Sequence, residues 1–446
     1  MQRPGTGDEM TVDASASDQS AGGTEAADLS QDELLKVKDE FFGHGVVRDP
    51  YPELADMLSK CPVHPGSMPE HFGIVGPETI LFGAAPQVSV LSFDAVEQGF
   101  KDYETFSASW YKPSLRSTIG RTILEMDPPE HGRYRQLIQG ALTRREMERW
   151  EAEFVRDLVD SFLDKIVDLG KADLVADFAI QYPLRVLVAA CELPQGDVEM
   201  FYHWAAHLTN VGIPEEIRQK VAKDFGEYLL KVINERRENP GKDLVSLLAT
   251  VKFRDAGDGA GPEQRLTDEE IVSFLRLLLP AGAQTTYRTL CNLLLGLLTH
   301  SDQLKAVYDD RSLIPQAIEE GLRWEPPLIG FGREATVDTE IEGVPIAAGT
   351  MVNLVIAAAD HDPSRWDHPE EFDIFRPQLP HLAFGSGNHV CLGIHFARME
   401  LRVAMERIFE RLPDLRLDPS VEDVYIGGLG ARSPDVLPVL FGTENP

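Results

Sequence analysis

Cys391 stands in the stretch with the most chemical promise, "HLAFGSGNHVCLGIHFARMELRV", residues 381–403. Gly385, Gly387 and Gly393 flank it at spacings that let the backbone turn tightly and approach a flat object closely. Helical periodicity resumes only beyond the cysteine, in Phe396, Met399, Leu401 and Val403, which sets the sulfur near a helix N-terminus. Partial positive charge and free amide donors there favour thiolate over thiol. Three uses fit such a sulfur: a nucleophile with His389 or His395 as its base, a metal ligand, or a structural cysteine packed in a glycine loop.

Four other stretches pair polar groups. In "EEGLRWEPP", Glu320 and Arg323 are three apart on one helical face, so carboxylate and guanidinium can meet; read alone, such a pair is usually solvated. "FDIFRP" adds Arg376 and "FGREATV" adds Arg333. "MDPPEHGRYR" sets His131 four residues before Arg135, a pairing that in isolation is more often surface decoration. A long apolar run contains "AGAQTT", with Ala281, Gly282, Gln284, Thr285 and Thr286 in succession around Ala283.

The run "FGSGNHVCLG" matches residue by residue the cysteine loop of the cytochrome P450 family, with Phe384, Gly385, Gly387, His389, Cys391 and Gly393 at the family positions. The other stretches resemble further segments of that family, and the resemblance runs from "DPYPELADMLSKCPVH" to "GARSPDVLPVLF". It implies a mainly α fold, a triangular-prism helical domain with a small β region, enclosing one non-covalent haem b (iron protoporphyrin IX). Cys391 would be the metal ligand. Covalent c-type attachment would need CxxCH, which the sequence lacks. Phe384, Gly385, Gly393, Ala281 and Gly282 would border the haem, and His131, Arg135, Arg333 and His389 would meet its propionates, a task suited to the planar fork of arginine. Glu320, Arg323 and Arg376 would form the network that supports the cysteine loop.

The activity so implied is a haem-thiolate monooxygenase that inserts one atom of O2 into an apolar small organic substrate, with electrons from NAD(P)H through a reductase and a ferredoxin. Thr285, with Gln284 and Thr286, would handle dioxygen and its protons. Gln284 departs from the family pattern, which has an acid there; an amide can order water but has no titrating proton to give. That departure keeps two alternatives open: a peroxide-using or non-hydroxylating haem-thiolate oxidase, and a catalytically weak haem protein that binds a ligand or recruits a partner. By family position, Trp110, Tyr111, Leu328, Ile329 and Phe331 are candidate substrate contacts, and "YIGGLG", residues 425–430, a third wall. Core packing is an equal claim on each aromatic.

These groups need a large helical frame, and the chain has the length for one. Its 446 residues carry 73 acids against 42 lysines and arginines, a net charge of -31 that repels nucleic acid and anionic membranes. Residues 1–30, rich in Ser, Ala, Gly and acids, read as a disordered acidic tail; residues 31–446 read as one haem-thiolate domain. In "EAEFVRDLVDSFLDKIVD", Phe154, Leu158, Phe162 and Ile166 form one apolar helical face. "LTDEEIVSFLRLLLPAGAQTTYRTLCNLLLGLLTH" opens with a capping box, Thr267 to Glu270, and is apolar almost all round, which predicts a central helix about 50 Å long that opens or kinks at Pro280. "TEIEGVPIAAGTMVNLVIAAAD" predicts short strands joined at Gly343, Pro345 and Gly349.

Cys61, Cys191, Cys291 and Cys391 form no CxxC pair, and neither a signal peptide nor an uninterrupted membrane span is visible, so the expectation is a cytoplasmic protein. No stretch resembles a flavin domain, an iron–sulfur run or a dinucleotide fingerprint, so electrons must come from a partner. Arg133, Arg144, Arg145 and Arg149, with Arg398 and Arg402, form a basic cluster where the family docks an acidic ferredoxin. A charge run of this kind is otherwise a solvated helix face.

Overall fold

The computed structural model describes residues 31–74, 85–252 and 263–442; the expected tail, residues 1–30, lies outside them. The longest element is the helix Asp268–Thr299, whose buried residues fall on every side over most of its length. Its start follows the sequence signal: the Thr267 side chain accepts from the Glu270 amide, and Glu270 accepts from the Thr267 amide at 2.7 Å. The expected opening at Pro280 does not occur, and the helix runs unbroken. Pro280 is buried, and at Gly282 the helix lies so close to the helix Tyr182–Ala190 that a Cβ would come within 2.9 Å of Leu187. This packing offsets the backbone bond that proline removes.

The helix expected over 151–168 is present as a π turn, Glu151–Val155, continued by Arg156–Ile166. It buries Val155, Val159, Phe162, Leu163 and Ile166, and packs against the helix Ile394–Arg411 that follows the cysteine. The Trp150 ring meets Phe396 of that helix edge-on, with centroids 5.5 Å apart.

The small β region is a five-stranded sheet in the order Val63–Pro65, Gln87–Val90, Met351–Leu354, Phe331–Ala335, Phe106–Ser107. Only the pairing of Gln87–Val90 with Met351–Leu354 is parallel. The predicted turn at Gly343 joins Thr339–Ile341 to Val344–Ile346 in a two-stranded ribbon. The period-2 pleat puts Phe331 and Arg333 on one face and Gly332 on the other. No helix among the described residues is long and apolar enough to cross a membrane.

Beneath the cysteine loop, the helix Ile314–Trp324 carries a buried ionic network. Arg323 donates to Glu320 through Nε at 2.9 Å and Nη2 at 2.8 Å, and its remaining protons go to the carbonyls of Asp360, Pro369 and Glu371 at 2.8–3.0 Å. Arg376 stands 3.5 Å from Glu320 and donates to the carbonyls of Asp367, His368 and Glu371. All three side chains are buried, and each charge is answered twice: the arginines by Glu320 and by backbone oxygens, Glu320 by the arginines and by the Asp373 amide at 2.9 Å. Asp360, also buried, accepts from the Leu382 amide at 2.8 Å and so ties this network to the residues that lead into the loop.

Removing Glu320 leaves two buried guanidinium groups short of an anion. Glu320→Ala is expected to destabilise the protein by about 3–5 kcal/mol in urea denaturation, and Glu320→Gln by less. A loss under about 1 kcal/mol for the alanine variant would show that the network does not hold this region.

Candidate active site

The cysteine loop is closed by its own backbone. The Cys391 amide donates to the Phe384 carbonyl at 2.8 Å, Gly385 to Leu382 at 2.7 Å, and Val390 to Gly387 at 3.3 Å. Gly387 has φ +67°, and a Cβ there would lie 2.8 Å from the Phe100 carbonyl oxygen, so both conformation and space demand glycine. Gly385, at φ +68°, makes the neighbouring turn. The helix Ile394–Arg411 begins three residues past the sulfur, as the spacing predicts.

The thiol itself departs from expectation. Burial pushes the Cys391 pKa up, and the Gly393 amide, Arg135 and Arg398 pull it down without prevailing. Burial thus favours the thiol over the thiolate in the protein alone.

Four further sequence-predicted groups converge beside the loop. The His131 and His389 rings lie 4.1 Å apart, and the Nε2 of each is buried with no hydrogen-bond partner among the described residues. Burial, helped by the charges of Arg135 and Arg333, lowers His131 to about 4 and His389 to about 3. Arg135 donates to the carbonyls of Asn388 at 3.3 Å and Val390 at 2.8 Å, which fixes it to the loop. Arg333 is 3% exposed and donates to the Gly332 carbonyl at 2.8 Å. Neither arginine has a carboxylate within salt-bridge distance among the described residues. Two guanidinium groups and two imidazoles therefore converge where, among the described residues, only the carboxylate of Asp127 acts on them from a distance, through its charge on His131 and Arg333.

The central helix contributes an apolar wall. In a helix otherwise buried, Ala281 is exposed, and Leu277, Leu278, Gly282 and Thr285 are half-buried, a stripe at helical spacing that the protein leaves uncovered. Thr285 donates its hydroxyl to the Ala281 carbonyl at 2.8 Å. Thr286 is buried and points elsewhere on the helix surface. Gln284 is buried, and its Nε2 donates to Thr209 Oγ1 at 3.2 Å, beyond the end of the helix Val198–Leu208.

The candidate substrate contacts divide. Trp110 covers Gly332, where a Cβ would fall 2.1 Å from its ring, and meets the Tyr111 ring edge-on at 4.9 Å. Phe331 packs on Phe100 at 6.2 Å. Leu328 is half-buried, whereas Ile329 belongs to a core cluster with Val47, Leu54 and Leu429. Leu328 bridges Ala431 and the Ile329 amide donates to Gly430 at 3.1 Å, so the stretch 425–430 does adjoin this wall.

Sequence reasoning passed over Glu319. It accepts from Arg398 at 2.7 and 2.6 Å and from His381 at 3.3 Å; burial opposes its charge, yet those bonds hold its pKa at about 2. The signal was the second acid in "EEGLR". Arg398 is thereby committed within the chain, as are Arg144 to Glu148, Arg149 to Glu146 and Glu153, and Arg402 to Glu151 and Glu406. The basic cluster offers less free charge than composition suggests.

Known proteins give the site its context. The family model described as Cytochrome P450 matches residues 78–423. Cytochrome P450 monooxygenase PikC of Streptomyces venezuelae is 33% identical over 386 residues, 85% of this chain and 87% of that protein. The mycinamicin IV hydroxylase/epoxidase of Micromonospora griseorubida is 35% identical over 324 residues, 72% and 79% of the two chains. Among solved structures, CYP109E1 from Bacillus megaterium in complex with testosterone superposes with a TM-score of 0.75 at 26% identity, covering 89% of this chain and all of that one.

Because the loop tolerates no side chain at Gly387, Gly387→Ala is expected to cut haem uptake at least several-fold, read as Soret absorbance per protein. Gly132→Ala, on a helix with open space around the new methyl, is the control. Equal uptake by both variants would show that the loop's shape does not govern the site.

Proposed function

The chain belongs to the cytochrome P450 family of haem b-binding monooxygenases, and from that premise we propose that it inserts one atom of O2 into an apolar small organic molecule, with electrons drawn from NAD(P)H through a reductase and a ferredoxin. One observation carries the reading: a cysteine loop stands beside buried His131 and Arg333 and half-buried Arg135 and His389, and among the described residues no carboxylate comes within salt-bridge distance of either arginine. An anionic, flat, metal-bearing group is what such surroundings lack. Haem b fits them.

In this reading Cys391 holds the iron, and Arg135, Arg333, His131 and His389 receive the propionates. Phe384, Gly385, Gly393, Ala281 and Gly282 border the ring. A haem with a thiolate ligand supplies cleavage of the O–O bond and transfer of one oxygen atom. Thr285 Oγ1 gives its own proton to Ala281 but keeps lone pairs, so it can accept from a water and order a proton donor at the uncovered stripe. Gln284, turned to Thr209, holds that stretch in place and cannot itself release a proton at neutral pH. Leu328, Phe331, Trp110 and Tyr111 would select the substrate by shape. Relatives that act on mycinamicin IV and bind testosterone support an apolar molecule.

A cytoplasmic place fits the acidic composition and the free thiols. With four arginines of the basic cluster paired internally, ferredoxin binding is weak and salt-sensitive. The amide at Gln284 favours one second reading, a haem-thiolate protein that uses peroxide, since peroxide brings its own protons and electrons.

The ferrous carbonyl adduct tests the haem–sulfur bond, and Cys391→Ser should abolish its thiolate spectrum. Turnover is tested by NADH-driven oxidation of compounds that shift the ferric Soret band, with surrogate redox partners; product formed with peroxide but never with NADH would favour the second reading. Gln284→Glu is expected to lower peroxide released per product several-fold, and unchanged release would place proton delivery elsewhere.

A further inference from the structure

The helix Gln31–Phe41 reaches the central helix and the connection between the helices Val198–Leu208 and Glu215–Glu238 at once. Its first hold is ionic. Arg288, one turn beyond Thr285 and 1% exposed, donates through Nη2 to both oxygens of Asp39 at 2.9 Å. The other fork of Arg288 donates to Ser433 Oγ at 2.8 Å and to the Ala431 carbonyl at 3.4 Å, in the C-terminal stretch that backs Leu328. Asp39 is the carboxylate paired with Arg288, so the charge on the central helix is answered by the N-terminal helix.

Its second hold is on the residue after Thr209. Asn210 is fully buried and donates Nδ2 to the Leu34 carbonyl at 2.7 Å, while its Oδ1 accepts from the Gly212 amide at 3.0 Å. Leu34, Ala206 and Ile213 pack around this bond, joined by Val37 and Ile217. Thr209, next in sequence, is the acceptor for Gln284. The dipeptide Gln284–Thr285 is thus flanked by two attachments, one through Thr209 and Asn210, the other through Arg288, and both end on the same helix.

We propose that the helix Gln31–Phe41 braces the oxygen-handling residues, and that Asp39 is a positioning residue which fixes Thr285 and Gln284 through Arg288. The inference deepens the reading of that site as a monooxygenase centre and rests on it. Asp39 touches neither substrate nor cofactor. Its effect is to keep one turn of the central helix and the Thr209–Asn210 corner at a fixed separation.

The test uses the full-length, haem-loaded protein and variants Asp39→Asn, Asp39→Glu and Asn210→Ala. Carbon monoxide serves as the probe, since the C–O stretch of its ferrous adduct senses nearby polar groups. Asp39→Asn and Asn210→Ala are each expected to broaden or split that band, and to speed amide hydrogen exchange about tenfold in peptides spanning 205–213 and 281–292. Asp39→Glu should restore most of both. Faster exchange confined to 31–44 and 425–435, with an unchanged band, would overturn the brace and leave only packing. A variant too unstable to load haem is replaced by the other, because the two attack separate attachments. Absence of a thiolate-type carbonyl spectrum in the parent protein would sink the monooxygenase reading, while the exchange measurement would still decide the brace.

Discussion

Burying a guanidinium without an anion costs several kcal/mol, and the placement of this chain's arginines follows from that cost. Where the anion is a residue of the chain, the pair becomes frame: Arg323 with Glu320, Arg288 with Asp39, and Arg432 with Glu325, each arginine buried and also bonded to backbone carbonyls or a hydroxyl. At Arg333, buried, and Arg135, half-buried, no carboxylate among the described residues comes within salt-bridge distance, and both bond to backbone carbonyls instead. The pairing that builds the scaffold thus stops at the side of the cysteine loop.

This division explains why the cysteine loop can be short and glycine-rich. Besides the packing of Leu382, Phe384 and Leu392 on the cores, its shape is held by Asp360 on the Leu382 amide, by Arg135 on two of its carbonyls, and by Glu319 through Arg398 and His381. Asp360 and Glu319 adjoin the Glu320–Arg323 pair, so two of these contacts come from the buried ionic network.

What was legible in the sequence was local. The cysteine loop, the Glu320–Arg323 pair, the capping box at Thr267 and the run Ala281–Thr286 are written in spacings of nine residues or fewer, where helix and turn geometry dictate who meets whom. What was not legible depends on distant contacts. Thr209 lies 75 residues from Gln284 and Asp39 lies 249 from Arg288, and no pattern in either segment announces its partner. The raised pKa of Cys391 has the same origin: the amides near a helix start were foreseeable, but the burial that outweighs them comes from the rest of the fold. Pro280 failed to open its helix for a like reason, since neighbouring helices decide whether the lost bond matters.

The order of strands in the five-stranded sheet bears on how the chain is made. Val63–Pro65 and Gln87–Val90 pair as near neighbours in the chain, yet the strand that pairs with Gln87–Val90 on its other side, Met351–Leu354, emerges more than 250 residues later. At typical ribosomal speeds that is a wait of about 10–50 s with an open hairpin edge. Until Met351–Leu354 arrives, that edge of Gln87–Val90 has no partner strand within the sheet, which is the arrangement most open to pairing with another chain. The wall that carries Arg333 is therefore a non-local part of the fold, complete only when segments more than 250 residues apart have met.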